Sequence, residues 1–191
     1  MPSLRFWMSF VLGALVLPGL ALAPVSAAPP DPATDGAWQP LVVGTLNPDG
    51  SQTIEAALVP PGEAATAATE VIVCNIQTAG WRISKAWQVQ AELGPITCNT
   101  AVYHQQEFKT VKQVCFVVCW WSDQRSISRR VPTSGYSTYA NLWTATLGIS
   151  GGGTYHIHLR DVATAISGSS AMLIDVDGPN FTCVDGTGCH Y

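Results

Sequence analysis

Basic residues are scarce in this sequence, and their scarcity argues against a nucleic-acid partner. The 191 residues include nine Lys and Arg against 13 Asp and Glu, and charged side chains make up only 12% of the chain. Affinity for nucleic acid depends mainly on basic groups that neutralise phosphates. The one basic stretch, RSISRR, contains Arg125, Arg129 and Arg130. We interpret it as a solvated loop or an edge strand, where basic residues discourage aggregation between strands.

A helical period is also missing, which predicts an all-β fold. Segment after segment alternates apolar and polar residues with a period of two, as half-buried strands do. In one such segment apolar residues stand at odd-numbered positions, and this shared parity places them on one face of the strand: Trp81, Ile83, Val89 and Leu93. Turn sequences rich in Gly, Pro, Asn and Asp separate the segments. About nine strands at this spacing indicate an antiparallel sandwich or barrel, and we predict a disulfide-stabilised antiparallel β-sandwich.

Only one long uncharged apolar run is present, and it lies at the start of the chain. The run from Phe6 to Leu22 follows Arg5 and leads to Val25-Ser26-Ala27, so residues 1–27 are predicted to be a secretory signal peptide. The alternative, a retained membrane anchor, lacks a stop-transfer flank. Cleavage would leave a Pro-rich leader, residues 28–40, and one β-sandwich domain, residues 41–191, without a membrane span. The predicted mature chain has a net charge of −5 and is expected to be secreted or held at the cell surface.

The six cysteines lack the paired C-x-x-C spacing that is typical of structural zinc sites, and an even count in a secreted chain favours disulfides. We expect Cys183 and Cys189 to close a small terminal loop. The segment QVCFVVCWW contains no turn residue and is therefore predicted to be one strand, in which four residues span about 13 Å. That span exceeds the limit of about 7 Å between bridged α-carbons, so the two cysteines of this segment should pair elsewhere. This leaves Cys74 and Cys98 as the expected partners of Cys115 and Cys119.

No complete catalytic motif is present. The stretch GISGG matches G-x-S-x-G around Ser150, but the hydrolase elbow requires a helix after the serine, and here glycines and a further predicted strand follow. We therefore interpret this stretch as a turn.

Two histidines stand one residue apart in TYHIHLRD. Parity places His156, His158 and Arg160 on the solvent face of a strand, opposite Tyr155 and Ile157. The imidazoles would be about 7 Å apart and could bind zinc if a third ligand approached, such as His104, His190 or an acidic residue. The charge of Arg160 opposes a cation and favours an anion or an acidic partner. We predict a solvated face or a binding face rather than a metal site.

The segment DVDGPN carries oxygen donors that could bind calcium. Asp175, Asp177 and Asn180 are only a fragment of a calcium loop. A plain turn is the favoured interpretation of this segment.

Adjacent tryptophans provide a second candidate binding surface. Trp120 and Trp121 point to opposite faces of their predicted strand, and exposed aromatic rings can stack on sugars or anchor an interface. The flanking apolar residues instead favour a central strand that is buried on both faces.

The block LWTATLGISGGGTYHIHLRD resembles the late part of immunoglobulin-like and PKD-like domains, in which a strand leads through a Gly-rich turn into a G-x-Y pattern. The resemblance implies that Tyr155 occupies a tyrosine corner, with its ring packed inward and its hydroxyl bonded to nearby backbone. Cys74 and Trp87 are similar to the early Cys and Trp of that fold, whereas Ile157 stands where an antibody-type domain has its second cysteine.

These features together predict a noncatalytic binding or structural module that requires no cofactor. Its partner would be an unknown protein or a surface polymer. The alternative is a secreted hydrolase that uses either a histidine-centred metal or Ser150 as its nucleophile.

Overall fold

Antiparallel strands form the whole of the regular structure in the part of the chain that the computed structural model describes, residues 36–63 and 70–191. The predicted signal peptide and the first residues of the predicted leader lie outside these ranges. Fourteen strands are present: β1 Gln39–Pro40, β2 Thr45–Leu46, β3 Gln52–Leu58, β4 Glu70–Ile76, β5 Ala79–Lys85, β6 Gln88–Leu93, β7 Ile96–Cys115, β8 Cys119–Val131, β9 Ser137–Ala140, β10 Trp143–Gly148, β11 Gly153–Ala165, β12 Ser170–Asp177, β13 Phe181–Val184 and β14 Gly188–His190.

The strands form two sheets, which confirms the predicted all-β sandwich, although fourteen strands are present where about nine were expected. One sheet has the order β1-β5-β6-β10. The other has ten strands along the path β14-β13-β11-β7-β4-β3-β2, with β12 paired to β11 and with β8 and β9 paired to β7. Residues 39–40, which we assigned to the leader, pair with β5 at the edge of the smaller sheet.

The core lies between the two sheets and contains the side chains that the alternation predicts. Ile72 and Ile76 on β4 and Trp81 on β5 are fully buried. Aromatic rings join the sheets: Trp81 lies 5.0 Å from Phe181 of β13, and Phe108 of β7 lies 4.6 Å from Trp143 of β10, measured between ring centroids. Because the two sheets pack their apolar faces against each other, the apolar face of a strand was sufficient to predict which of its side chains are buried in most strands.

Parity fails where a strand carries an irregularity. Strict alternation along β12 predicts that Met172 and Ile174 both point inward, but Met172 is exposed and only Ile174 is buried. The register between β11 and β12 shifts between Asp161 and Val162, so that Leu173 is inserted between the residues that pair there. An inserted residue reverses the alternation beyond it, which places Leu173 and Met172 on the faces opposite to those predicted.

No helix in the described ranges is both long enough and apolar enough to cross a membrane.

Candidate functional site

The longest strand, β7, positions the candidate residues because it pairs with a neighbour on each side. Along one edge β11 pairs with β7 from Ala165↔Val102 to Tyr155↔Lys112. Along the other edge β8 pairs with β7 from His104↔Val131 to Cys115↔Cys119. The β7–β8 hairpin therefore continues beyond Lys112, where β11 no longer accompanies it.

The two histidines and Arg160 share one face of β11, as parity predicts. We use the term histidine face for His156, His158 and Arg160 together with Asp175 and Asp177 of the adjacent strand β12. Arg160 is exposed and His158 is half-buried, but the side chain of His156 is only 7% exposed. The expectation that all three side chains face solvent is therefore wrong for His156.

Trp121 is the reason that His156 is buried. Its ring lies 4.3 Å from the imidazole of His156, measured between centroids, at an interplanar angle of 58°. Trp121 of β8 pairs with Gln113 of β7. His156 of β11 pairs with Val111 of β7, which lies two residues before Gln113. Because residues two apart in a strand share a face, Trp121 lies on the same side of the sheet as His156 and covers it.

Carboxylates of β12 bind both imidazoles. Asp177 Oδ1 lies 3.2 Å from His156 Nε2 and 2.8 Å from His158 Nδ1, and Asp175 Oδ1 lies 3.2 Å from His158 Nε2. The carboxylates that we considered as calcium ligands are thus bound to imidazoles. Among residues 36–63 and 70–191, no group of three or more His, Cys, Asp or Glu is arranged to hold a metal ion.

Burial lowers the pKa of His156 from its ordinary value of 6.5, and the negative charge of Asp177 opposes this effect. The neutral imidazole is therefore favoured under Trp121 at neutral pH. This arrangement holds His156 in place through packing against Trp121 and contact with Asp177. It does not present a free histidine to an acidic partner.

The cysteine prediction requires a correction at the end of the hairpin. Cys115 and Cys119 form a disulfide, and Cys74 pairs with Cys98. The segment QVCFVVCWW is consequently two strands joined by a three-residue reversal. The bridge links residues that are directly opposite in the register, with α-carbons 4.1 Å apart, so a disulfide closes the turn that no Gly, Pro, Asn or Asp encodes.

The reversal exposes three large apolar side chains. Phe116 is 91% exposed, Val117 86% and Val118 69%. We refer to these three residues and the Cys115–Cys119 bridge as the hairpin tip. Sequence reasoning missed it because we interpreted the apolar run as the interior of a buried strand. A signal was present nonetheless, since two cysteines enclose an apolar run without polar alternation.

Trp120 and Trp121 follow the hairpin tip directly. They are 49% and 41% exposed, so the expectation of a central strand buried on both faces is wrong. The physical reason is that β8 pairs only with β7 among the described strands and its first residues extend beyond the sheet.

The third disulfide and the basic stretch agree with the sequence predictions. Cys183 and Cys189 pair and link β13 to β14. RSISRR lies on the edge strand β8, where Arg129 stacks on the ring of Trp143 at 5.1 Å and Arg130 on that of Tyr103 at 4.0 Å. Both guanidinium groups are thus packed against aromatic rings of the domain.

Ser150 lies in the loop between β10 and β11, as the turn interpretation predicts. The ring of Tyr155 is fully buried, and its hydroxyl lies 2.8 Å from the carbonyl oxygens of both Ser150 and Gly151, to either of which it can donate. The backbone contact that the immunoglobulin-like resemblance implies is therefore present. No described side chain accepts a hydrogen bond from the Ser150 hydroxyl.

A buried polar pair beneath the histidine face was not predicted. His104 Nδ1 of β7 lies 3.0 Å from Asp161 Oδ2 of β11, and both side chains are almost completely buried. The second carboxylate oxygen, Asp161 Oδ1, has no hydrogen-bond partner among the described residues. Cys98 Sγ lies 3.8 Å from the other ring nitrogen of His104, so this pair belongs to the core and is not open to a ligand.

No family model, no curated protein and no solved structure matches this chain.

Proposed function

We propose that this protein is a secreted or cell-surface, noncatalytic binding module whose contact element is the hairpin tip with the adjacent Trp120 and Trp121. The observation that carries the proposal is the exposure of Phe116, Val117 and Val118 side by side. Scattered apolar residues are common on protein surfaces, whereas contiguous apolar patches mark binding sites. Burial of a Phe or Val side chain contributes about 1.5–3 kcal/mol, so the tip can supply much of a binding energy.

The covalent closure of the tip supports the same proposal. The Cys115–Cys119 bridge holds the three apolar side chains at the end of a paired ribbon. An element that is already fixed in its bound shape loses less conformational entropy on association. The bridge also fits the extracellular compartment, where disulfides persist.

Secretion and the immunoglobulin-like relationship form part of the proposal. Three disulfides among the described residues support an oxidising compartment. The buried ring of Tyr155 and its hydroxyl contact with the β10–β11 loop support an immunoglobulin-like or PKD-like sandwich.

The proposal is tested with the fluorescently labelled mature chain on intact cells of the native culture. We expect saturable retention that weakens about tenfold or more in the double variant Phe116→Ser, Val117→Ser. The matched control is Ile166→Ser, because Ile166 is 72% exposed at the turn after β11, the far end of that strand from the tip. Equal retention of all three proteins would refute the proposal.

The alternative hydrolase stays a prediction with its own test. Stoichiometric zinc that disappears on changing His156 and His158 to alanine, or labelling of Ser150 by a serine-directed phosphonate, would favour the enzyme over the binding module.

A further inference from the structure

We infer that the hairpin tip inserts shallowly into the surface of a lipid bilayer that carries anionic headgroups. This inference rests on the proposed function and specifies the chemistry of its partner. It depends on the order of side chains along the hairpin, on the local charge and on the shape of the projecting ribbon.

Side chains along the hairpin follow the polarity profile of one bilayer leaflet. Phe116, Val117 and Val118 form the apolar end, and Trp120 and Trp121 follow. Lys112 lies three residues below the bridge on β7, a distance of about 10 Å along a strand. A leaflet presents the same sequence of environments: hydrocarbon, then the interface in which Trp rings are enriched, then charged headgroups that attract Lys and Arg.

The hairpin itself carries more basic than acidic residues. No charged residue occurs between Lys112 and Asp123, and the segment from Lys109 to Arg125 carries three basic residues and one acidic residue. Lys109 Nζ lies 2.8 Å from Asp123 Oδ2, which pairs those two charges. Lys112 and Arg125 therefore supply the excess positive charge of the hairpin. The exposed carboxylate of Asp177 on β12 lies in register with Lys109, farther from the tip than Lys112. This local excess is complementary to anionic headgroups.

The shape of the element favours a bilayer over a folded protein partner. Residues 113–121 form a two-stranded ribbon that pairs only with itself, and it ends in the three highly exposed side chains of the tip. The side chains of the reversal carry no hydrogen-bonding group, whereas protein interfaces surround an apolar centre with a polar rim. A fluid hydrocarbon layer accepts such side chains without a complementary pocket.

Backbone hydrogen bonding limits the depth of insertion. The amide of Phe116 donates to the carbonyl oxygen of Val118 at 3.2 Å, which satisfies part of the reversal. The remaining polar backbone groups of the turn need water or headgroups, because unpaired groups in hydrocarbon are costly. The tip side chains therefore enter the hydrocarbon while the backbone and the two tryptophans remain at the interface.

Vesicle co-sedimentation with the mature chain tests this inference. One set of vesicles contains phosphatidylcholine alone, and the other contains phosphatidylcholine with phosphatidylglycerol. We expect binding to the mixed vesicles, a blue shift of tryptophan fluorescence, and quenching by lipids brominated near the interface. Phe116→Ser with Val117→Ser should reduce binding about tenfold or more, and Ile166→Ser should leave it unchanged.

A charge variant separates the electrostatic contribution to binding from the apolar contribution of the tip. Lys112→Gln with Arg125→Gln should remove the preference for phosphatidylglycerol while the weaker binding to phosphatidylcholine persists. Each variant is first checked for an unchanged far-ultraviolet circular dichroism spectrum and three intact disulfides. Vesicle binding that does not depend on the tip would overturn the inference.

The outcomes also distinguish this inference from the proposed function. Retention on cells that depends on the tip, without binding to either vesicle, would refute the lipid partner and leave a binding module with a protein partner. A dimer that forms in solution and is lost in the Phe116→Ser, Val117→Ser variant would assign the tip to a second copy of this chain and overturn the lipid inference. If the Phe116→Ser, Val117→Ser variant behaves like the wild type both on cells and on vesicles, both proposals are refuted.

Discussion

His156 shows how a single neighbouring ring changes the chemistry of a residue. Alternation places it on the outer face of β11, which would leave its imidazole in water. Trp121 covers it instead, and burial lowers its pKa. The unfolded chain, in which the imidazole has its ordinary pKa of about 6.5, therefore binds a proton more readily than the folded protein does.

This difference predicts a pH dependence of stability. The contribution of His156 is fully present above about pH 6.5 and is lost as the pH falls from that value towards the lower pKa of the folded state. Urea unfolding between pH 7.5 and pH 5 should show a decreasing free energy of unfolding, and the decrease should be smaller in His156→Gln. The control His190→Gln changes an exposed histidine of β14. Equal slopes in wild type and His156→Gln would contradict the assignment.

The buried pair of His104 and Asp161 provides a second prediction at this scale. Asp161→Ala removes the carboxylate that lies 3.0 Å from His104, and breaking a buried polar pair in this way costs about 3–5 kcal/mol. Replacing both residues with alanine should cost less than the sum of the two single alanine substitutions, because neither side chain then leaves its partner unpaired. Additive losses in urea unfolding would show that the two side chains act independently.

At the scale of elements, the sequence predicts strands well and predicts their reversals only where turn residues occur. The faces of β4 and β5 follow directly from alternation, with Ile72, Ile76 and Trp81 buried. The reversal at the hairpin tip was not predictable in the same way, because Phe116, Val117 and Val118 have strand propensity. A covalent bond between their flanking cysteines decides the conformation there, and pairing of cysteines is a long-range choice that alternation does not encode.

The candidate site was predictable to a similar extent. The shared face of His156, His158 and Arg160 follows from parity, but their partners Asp175 and Asp177 depend on the pairing of β11 with β12. The cover provided by Trp121 depends on the reversal that the alternation did not predict.

The disulfides should differ in what their removal costs. The stabilisation by a bridge increases with the length of the closed loop, and the chain-entropy relation gives about 2 kcal/mol for Cys115–Cys119 and about 3.5 kcal/mol for Cys74–Cys98. The sequence separations are 4 and 24 residues. The first pair also lies on the projecting ribbon, whereas Cys74 and Cys98 are buried in the core.

Paired Cys→Ser variants check this difference by urea unfolding. The tip variant should lose at most about 2 kcal/mol, against about 3.5 kcal/mol for the core variant, and its amide exchange should become faster mainly around residues 113–121, where the ribbon pairs with itself. A larger loss of global stability in the tip variant than in the core variant would contradict this account.

At the scale of the whole molecule, the two sheets share one core across which aromatic rings meet. Phe108 belongs to the larger sheet and Trp143 to the smaller one, and their centroids are 4.6 Å apart. Trp81 and Phe181 form a second contact between the sheets. Neither sheet can expose its inner face to water without losing these contacts, so we expect the two sheets to unfold together. That residues 41–191 form a single domain stays a prediction.

Phe108→Ala tests this prediction because Phe108 is fully buried and lies far from the hairpin tip in the register of β7. Truncation of a buried Phe costs about 3–5 kcal/mol. In a single cooperative domain, the unfolding midpoints reported by circular dichroism and by tryptophan fluorescence should shift together. Vesicle binding by the folded fraction should remain at the wild-type level, since the tip is unchanged. Two separate transitions in this variant would instead show that the sheets unfold independently, and the apolar tip would then belong to only one of the two units.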